Sequence, residues 1–568
     1  MLSTPKFQYI ILLVAIALTT WGFQYFFQPQ PQGTLISQFP TSTQNIALVP
    51  LDSRPPCSTL VAHNGRTAGI NILLPPPAST DYYTQPANRS EIRQWLQDIL
   101  PQTDAAIISV DQLLYGSLLA SREKPASLEQ IHELLDFLTE LHQQNPQKPL
   151  YLFSILPRMH PPANIENWQD RKNLLEWSRV TDQLALAQEE NQEPAKIDQL
   201  LQQQQELEQL IPAEQLTLYQ DIYRNNNYLN SQLAQMTKKG IIQQLVLGQD
   251  DGEPFSLPNL ELRKLTQYIQ QQQLPPSQVS ISHGADELAL NILASIVVAQ
   301  SGTSPTFYLD YNAPNTSEQI LPYMAVPLST SIEEKLNLSG AQAVATPQAA
   351  DIIFFVSWGA PETLGQRQAS AKRIKNYLAQ GKEVALVDLS QHFVAHEALL
   401  PILLAEAVPV ESLIAYSGWN TASNSLGTAL AQSEIYHTAL RTKDQSQQNS
   451  ICYSNIINLN NRLLEDYYYL KDAIDIVNSN LKKAGYTNVY DLDLEHNYQW
   501  SQSMLTQIMN QRLTDFAAHT SVSQPFVLNL PPGPQKFQIR QLQGDYSFPW
   551  PRTFEIRLET TLEFYQIN

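Results

Sequence analysis

Carboxylates, arginines and amides recur at one kind of place in this chain, immediately after short apolar runs. Asp52 and Arg54 end IALVPLD (46–52) and the Asp-Ser-Arg-Pro that follows it. Asp111 closes AAIISVD (105–111), with Tyr115 and then Ser121-Arg122 behind it. Arg158 ends LYLFSILPR (150–158), and Asp250 and Asp251 end QLVLGQDD (244–251). His283 in QVSISHG (278–284) leads into Ala285-Asp286-Glu287. Trp419, Asn420 and Asn424 follow LIAYSG (413–418). Two nearby carboxylates in different environments divide into an acid and a base, or an acid and an electrostatic stabiliser. Asp250 and Asp251 would point to opposite sides of a continuing strand, so that one faces a pocket and the other orients it. Asp250 is the first choice for the catalytic acid or base, with Asp251 supporting it and Asp286 or Glu287 as the second carboxylate. Arg54, Arg122 and Arg158 would orient substrate, and Asp52, Asp111, His283, Asn420 and Asn424 would complete the binding set. Glycoside hydrolysis needs such a carboxyl pair, and Trp419 or Tyr115 offers a flat apolar face to a sugar ring.

No cofactor is expected. A divalent metal on His283 with Asp52, Asp250, Asp251 and Asp286 is the weaker reading, and no HExxH or other spaced ligand set supports it, so no metal ligands are assigned. Each residue also has a plainer role. Asp52 is a favoured helix N-cap or a partner for Arg54. Asp250 and Asp251 before Gly-Glu-Pro suit a turn. Asp286 and Glu287 suit the first turn of a helix. Arg158 suits a structural ion pair. Their shared position at the ends of apolar runs is what favours a pocket.

That position matters because, in parallel α/β folds, ligands bind beyond the carboxyl ends of the strands. Further runs at NILLPP (71–76), TFYLDY (306–311), DIIFFVS (351–357) and EVALVDL (383–389) extend the pattern. Runs apolar on both faces suit strands covered by helices, and Arg89–Leu100 and Leu128–His142 carry apolar residues at helical spacing. The expected fold class is α/β, with a mostly parallel sheet, barrel-like or doubly wound, over residues 45–348. A second α/β unit follows over 349–520, then short proline-punctuated strands over 521–568. A Gln- and Glu-rich excursion at about 164–239, including QLLQQQQELEQL (199–210), reads as solvated helices or, more sharply, as a coiled-coil partner surface.

The chain has 568 residues, too many for one core. Hydrophobic residues make up 43 %, enough to build packed cores, and the formal net charge of −19 argues against nucleic acid as a partner. Two cysteines, Cys57 and Cys452, are too few for a disulfide scaffold, and whether they pair is left open. Phe7–Phe27 carries no charge and meets the length of roughly 20 residues a membrane helix needs. Lys6 before it and Trp21 and Tyr25 at its far end suit an N-terminus inside (1–6), an anchor (7–27) and a linker (28–44). The body would then stand outside the cytoplasmic membrane, with the bilayer as a partner; a cleaved signal peptide is the alternative. GxGxxG, GxxxxGK[ST] and GxSxG signatures are missing, which weakens dinucleotide, P-loop and serine-esterase readings.

Six short motifs occur in order: PLDSRP (50–55), DQLLYGSL (111–118) with Ser121-Arg122, LGQDD (247–251), HGADE (283–287), GWNTASNSLG (418–427) and FPWPRTFE (548–555). In this combination the chain resembles a bacterial family catalogued only as a domain of unknown function, number four-one-two-seven. The resemblance spans nearly the whole body, apart from the Gln-rich excursion. It implies one coherent α/β unit with a site at these motifs and names no activity. The leading expectation is a membrane-anchored, extracytoplasmic hydrolase with a carboxylate-lined pocket for a carbohydrate-like substrate. The alternatives are a non-catalytic small-molecule or glycan-binding protein and an envelope assembly factor.

Overall fold

All ten apolar runs named above form strands, and those deep in the two parallel sheets are covered on both faces, whereas NILL and TFYLDY are only partly buried. The structure, a computed structural model, describes residues 33–531 and 533–567. Its strands are β1 (Gly33–Ile36), β2 (Gln44–Val49), β3 (Ile70–Leu73), β4 (Ala105–Ser109), β5 (Leu150–Leu156), β6 (Gln244–Gln249), β7 (Val279–His283), β8 (Thr306–Tyr311), β9 (Gln342–Ala343), β10 (Ile352–Gly359), β11 (Glu383–Ser390), β12 (Ala415–Ser417), β13 (Phe526–Leu530), β14 (Gly533–Ser547) and β15 (Arg557–Ile567). One parallel sheet runs β3-β2-β4-β5-β6-β7 and a second runs β12-β11-β10-β8-β9. In each, the chain starts inside the sheet, steps to one side, then reverses. That reversal opens a crevice beyond the strand ends. The third sheet, β1-β15-β14-β13, is antiparallel and joins the two ends of the described chain.

Alternate residues of the first sheet feed different cores. Ala47 and Val49 pack on one face with the helices Arg89–Ile99 and Leu128–Gln144, while Ile46 and Leu48 pack on the other with Thr59–Ala68 and Leu288–Ser301. Helix Leu288–Ser301 in turn packs against helix Ala422–Thr442, which also packs on β11 and β12. The two helices fill the space between the sheets, and nearly every one of their residues is buried. This explains why LALNILASIVV shows no polar face. Gly427 lets them approach, since a Cβ there would overlap the Glu287 side chain and meet Lys335 Cε at 2.8 Å.

Fold class needs a correction. Both parallel sheets are open, so the barrel-like alternative falls. Among the described residues no helix is long and apolar enough to cross a membrane, so the α/β architecture carries no transmembrane helix there. Phe7–Phe27, on which the anchor expectation rested, lies outside the described residues. The C-terminal strands expected to be short include a hairpin of 15 and 11 residues, β14 and β15. The Gln-rich excursion is three helices, Trp168–Glu189, Pro194–Leu210 and Ala213–Lys238. It packs onto the segment after β6 through Trp177, Tyr219 and Tyr223 against Leu257 and Leu260. Asp182 and Ser178 accept the backbone N–H groups of Ser256 and Leu257 at 2.8 and 2.7 Å, and Arg179 holds Glu253 at 2.8 Å. These helices therefore fix the loop that carries Asp250 and Asp251.

The packed interior also traps carboxyls. Burial pushes Glu411 up to about 8, and neither of its oxygens has a partner. Burial pushes Glu434 to about 8 as well, opposed by Ser339, whose Oγ donates to it at 2.6 Å. Because these folded values lie above the ordinary glutamate range, the stability they support is fully present at acid pH and is lost as pH rises through about 8. The urea midpoint should therefore be higher at pH 5.5 than at pH 8.5. Glu411→Gln should raise the pH 8.5 stability by at least about 1 kcal/mol, at roughly 1.4 kcal/mol per pKa unit. A flat profile in the wild type would contradict this.

Candidate functional site

The loops after β2, β6, β7 and β12 meet the C-terminal segment Phe548–Glu555 around a cavity of about 180 Å³. A second cavity of about 570 Å³ adjoins it, and the two share Asp251, Tyr323, Asn420, Thr421 and Phe554 as walls.

At the base of the cleft, Arg54 bridges two carboxylates. Its Nε and Nη2 donate to Asp52 at 3.0 and 2.6 Å, and Nη2 donates to Asp286 Oδ1 at 2.7 Å. All three side chains are buried. Asn420 and Asn424 donate to Asp286 Oδ2 at 3.1 and 3.3 Å. Every contact to Asp286 thus comes from a donor, the arrangement that suits an ionised carboxylate. Burial pushes its carboxyl up, Arg54 pulls it down, and Asp52 adds to the rise. Asp52, Cys57 and Asp286 place possible ligand atoms within 4.8 Å of one another. The guanidinium of Arg54 already binds both carboxylates, so this donor set does not fit a divalent ion. Of the other expected ligands, Asp250 is likewise taken by Arg122, whereas His283 pairs with Glu334 through Nδ1 alone and Asp251 faces the cavities.

The Asp250–Asp251 pair is divided by its surroundings. Asp250 is buried, and Arg122 grips its Oδ2 through Nε at 2.8 Å and through Nη2. Burial opposes its charge, but Arg122 and Arg158 outweigh burial and hold its carboxyl below the usual range. Asp251 is half-buried and faces both cavities. Burial and the neighbouring Asp250 charge push it up to about 7, against Arg122 and Arg158. Asp250 is therefore held as an anion, and the Asp251 carboxyl takes up a proton near neutral pH.

His283 lines the same cavity. Glu334 accepts from its backbone N–H and from Nδ1, each at 2.9 Å, which leaves Nε2 without a hydrogen-bond partner among the described residues. The proton position on the ring is inferred from that contact. Gly284, at φ +121°, makes the turn that brings Asp286 round, and a Cβ there would overlap the Glu287 carboxylate. Glu287 itself lies behind the cleft, fully buried beside Lys335 Nζ at 3.2 Å.

The remaining expected site residues divide clearly. Arg54, Arg122, Asn420 and Asn424 line the first cavity and Arg158 the second. Asp52 sits beneath, orienting Arg54. Asp111 turns inward to accept the Ile155 N–H at 2.9 Å, and Tyr115 packs on the apolar core. Trp419 is buried with Nε1 donating to Thr428 Oγ1 at 3.1 Å, so it offers no open face. Cys57 and Cys452 are buried and unpaired.

Tyr323, Trp550, Arg552 and Phe554 line the first cavity; Tyr323 lies in none of the motifs, and the other three fall in FPWPRTFE but were not named as site residues. Arg54 lies 5.2 Å over the Trp550 ring, and Trp550 Nε1 donates to Ser53 Oγ at 2.8 Å. Arg552 stacks on Trp550 at 4.9 Å and Phe554 at 5.0 Å while gripping Glu555 at 2.9 and 2.7 Å. The available signal was FPWPRTFE, whose aromatic and arginine content exceeds what a closing strand needs. Tyr323 (φ +66°), Phe393 (φ +55°) and Asn420 (φ +46°) hold left-handed backbone around the two cavities. Such strain costs about 1–3 kcal/mol each and clusters where geometry serves a site.

Residues 46–559 match a family described as protein of unknown function (DUF4127). No curated protein and no solved structure matches the chain.

Proposed function

The chain belongs to the family described as protein of unknown function (DUF4127), and from its cleft we propose that it is a hydrolase of carbohydrate-like substrates with Asp251 as the general acid. The observation that carries this reading is the Asp251 carboxyl, raised to about 7 on an open cleft wall beside an Asp250 held ionised. Pairs of carboxyls driven apart in this way divide acid from base work. Tyr323 and Phe554, 54 % and 37 % exposed, offer apolar faces where Trp419 does not. Sugar rings stack on such faces.

In this mechanism Asp251 gives its proton to the leaving glycosidic oxygen as the bond from the anomeric carbon breaks. Water adds to that carbon, and its proton passes to His283 Nε2, oriented from behind by Glu334. Asp286 is a positioning carboxylate that keeps Arg54, Asn420 and Asn424 on the wall. The test is a turnover screen of the full chain on neutral and acidic glycosides. The expected result is hydrolysis of at least one class, lost in Asp251→Asn. Turnover unchanged in that variant removes Asp251 from the reaction. Tight glycan binding without turnover in the wild type makes the cleft a binding site instead.

A further inference from the structure

Three of the four arginines around the two cavities are neutralised by carboxylates: Arg54 by Asp52 and Asp286, Arg122 by Asp250, and Arg552 by Glu555. Arg158 is not. Its guanidinium makes no ion pair or hydrogen bond among the described residues, and its Nε is buried without a partner. Two residues on, His160 has Nδ1 buried without a partner, and both residues line the second cavity. The segment is held firmly. Tyr223 donates to the Arg158 carbonyl at 2.7 Å, and Tyr219 donates to that of Met159. Both tyrosines come from helix Ala213–Lys238, so the excursion positions this cation as well as the Asp251 loop. Burial and the neighbouring Arg122 lower the guanidinium's pKa against the pull of Asp250 and Asp251. The acidic groups on the cavity wall are Asp251, which shares a proton near neutral pH, and the exposed Asp475.

An unpaired, sheltered guanidinium costs stability and is compensated when an anion arrives with matching acceptors. Resting on the carbohydrate reading, we propose that the second cavity is a subsite for an anionic substituent of the sugar, a carboxylate, sulfate or phosphate, received by Arg158 with His160 as the second donor. The substrate class becomes an acidic glycan. Cleavage falls at Asp251, which both cavities share, so the charged group sits on a residue next to the scissile bond.

Calorimetric titration of the full chain tests this with methyl glucoside, methyl glucuronoside, glucose 6-sulfate, glucose 6-phosphate and inorganic phosphate. At least one anionic sugar should bind about tenfold or more tightly than methyl glucoside, and the tightest identifies the group. Inorganic phosphate should bind more weakly than that sugar. Arg158→Gln should abolish the preference. Arg158→Lys should keep part of it, since the charge remains and the fork is lost. Arg224→Gln, at an exposed position on helix Ala213–Lys238, should leave it intact. The unfolding midpoint of Arg158→Gln should not fall, because no partner is lost. Equal binding of neutral and anionic sugars, no binding of either, or a preference that survives in Arg158→Gln overturns the proposal. A loss of preference accompanied by a lowered midpoint also overturns it, since that is the mark of a structural arginine. Asp251→Asn separates this from the hydrolase reading: turnover should fall steeply, while the preference for the anionic sugar should persist or strengthen, because an acidic neighbour of Arg158 is removed.

Discussion

Replacing Arg54 with leucine should cost about 3–5 kcal/mol of stability, the range seen when one member of a buried charged set is removed. The size follows from burial: Arg54, Asp52 and Asp286 have side chains only 7 %, 0 % and 5 % exposed. Leucine would leave two carboxylates facing each other without the cation that holds them together. The deficit should be larger at pH 8 than at pH 5, because protonation relieves the repulsion at low pH. Arg54→Lys should recover little, since an ammonium cannot make the forked contacts to both carboxylates. The triple variant Asp52→Asn, Arg54→Leu, Asp286→Asn should recover most of the loss, as it removes the charges together. Urea unfolding at the two pH values checks all four. A loss below about 1 kcal/mol in the single variant would show that the triad is solvated and not a buried support for the cleft.

The second large effect concerns turnover. Asp251→Asn should lower kcat/KM by about 10²–10⁴-fold, the usual contribution of a positioned proton donor. Asp250→Asn should act differently. It removes the charge that raises Asp251, while Arg122 and Arg158 continue to pull it down. Activity should survive in part, with its fall shifted to lower pH. If the two variants lose activity equally with no shift, the division of labour between the two carboxyls is wrong.

Strands were the most legible part of the sequence. IIFFVS and EVALVDL, apolar at nearly every position, suit strands covered on both faces, and β10 and β11 are such strands. The helix Ala422–Thr442 was harder. It is buried on all sides between two sheets, so ASNSLGTALAQSEIYHTALRT shows no amphipathic face, and only the motif GWNTASNSLG at its start stood out. Strand-end logic placed Arg54, Asp250, Asp251, His283 and Asp286 together, because parallel strands end on one edge. It could not place Trp550, Arg552 and Phe554, which reach the cleft from a segment almost 500 residues away in sequence from Arg54. Asp111 and Trp419 sit at strand ends and turn into the core. Which way a side chain points depends on local backbone bonds, such as the Ile155 N–H held by Asp111, that no spacing rule contains.

The most direct measurement of the central claim is the pH dependence of kcat/KM on a hydrolysed glycoside, since that profile reports the ionisation of the free enzyme. With Asp251 protonated as the acid and its carboxyl at about 7, activity should fall as pH rises through about 7. That limb should be missing from the residual activity of Asp251→Asn. A fall centred near the ordinary aspartate range, or the same limb persisting in Asp251→Asn, would contradict it.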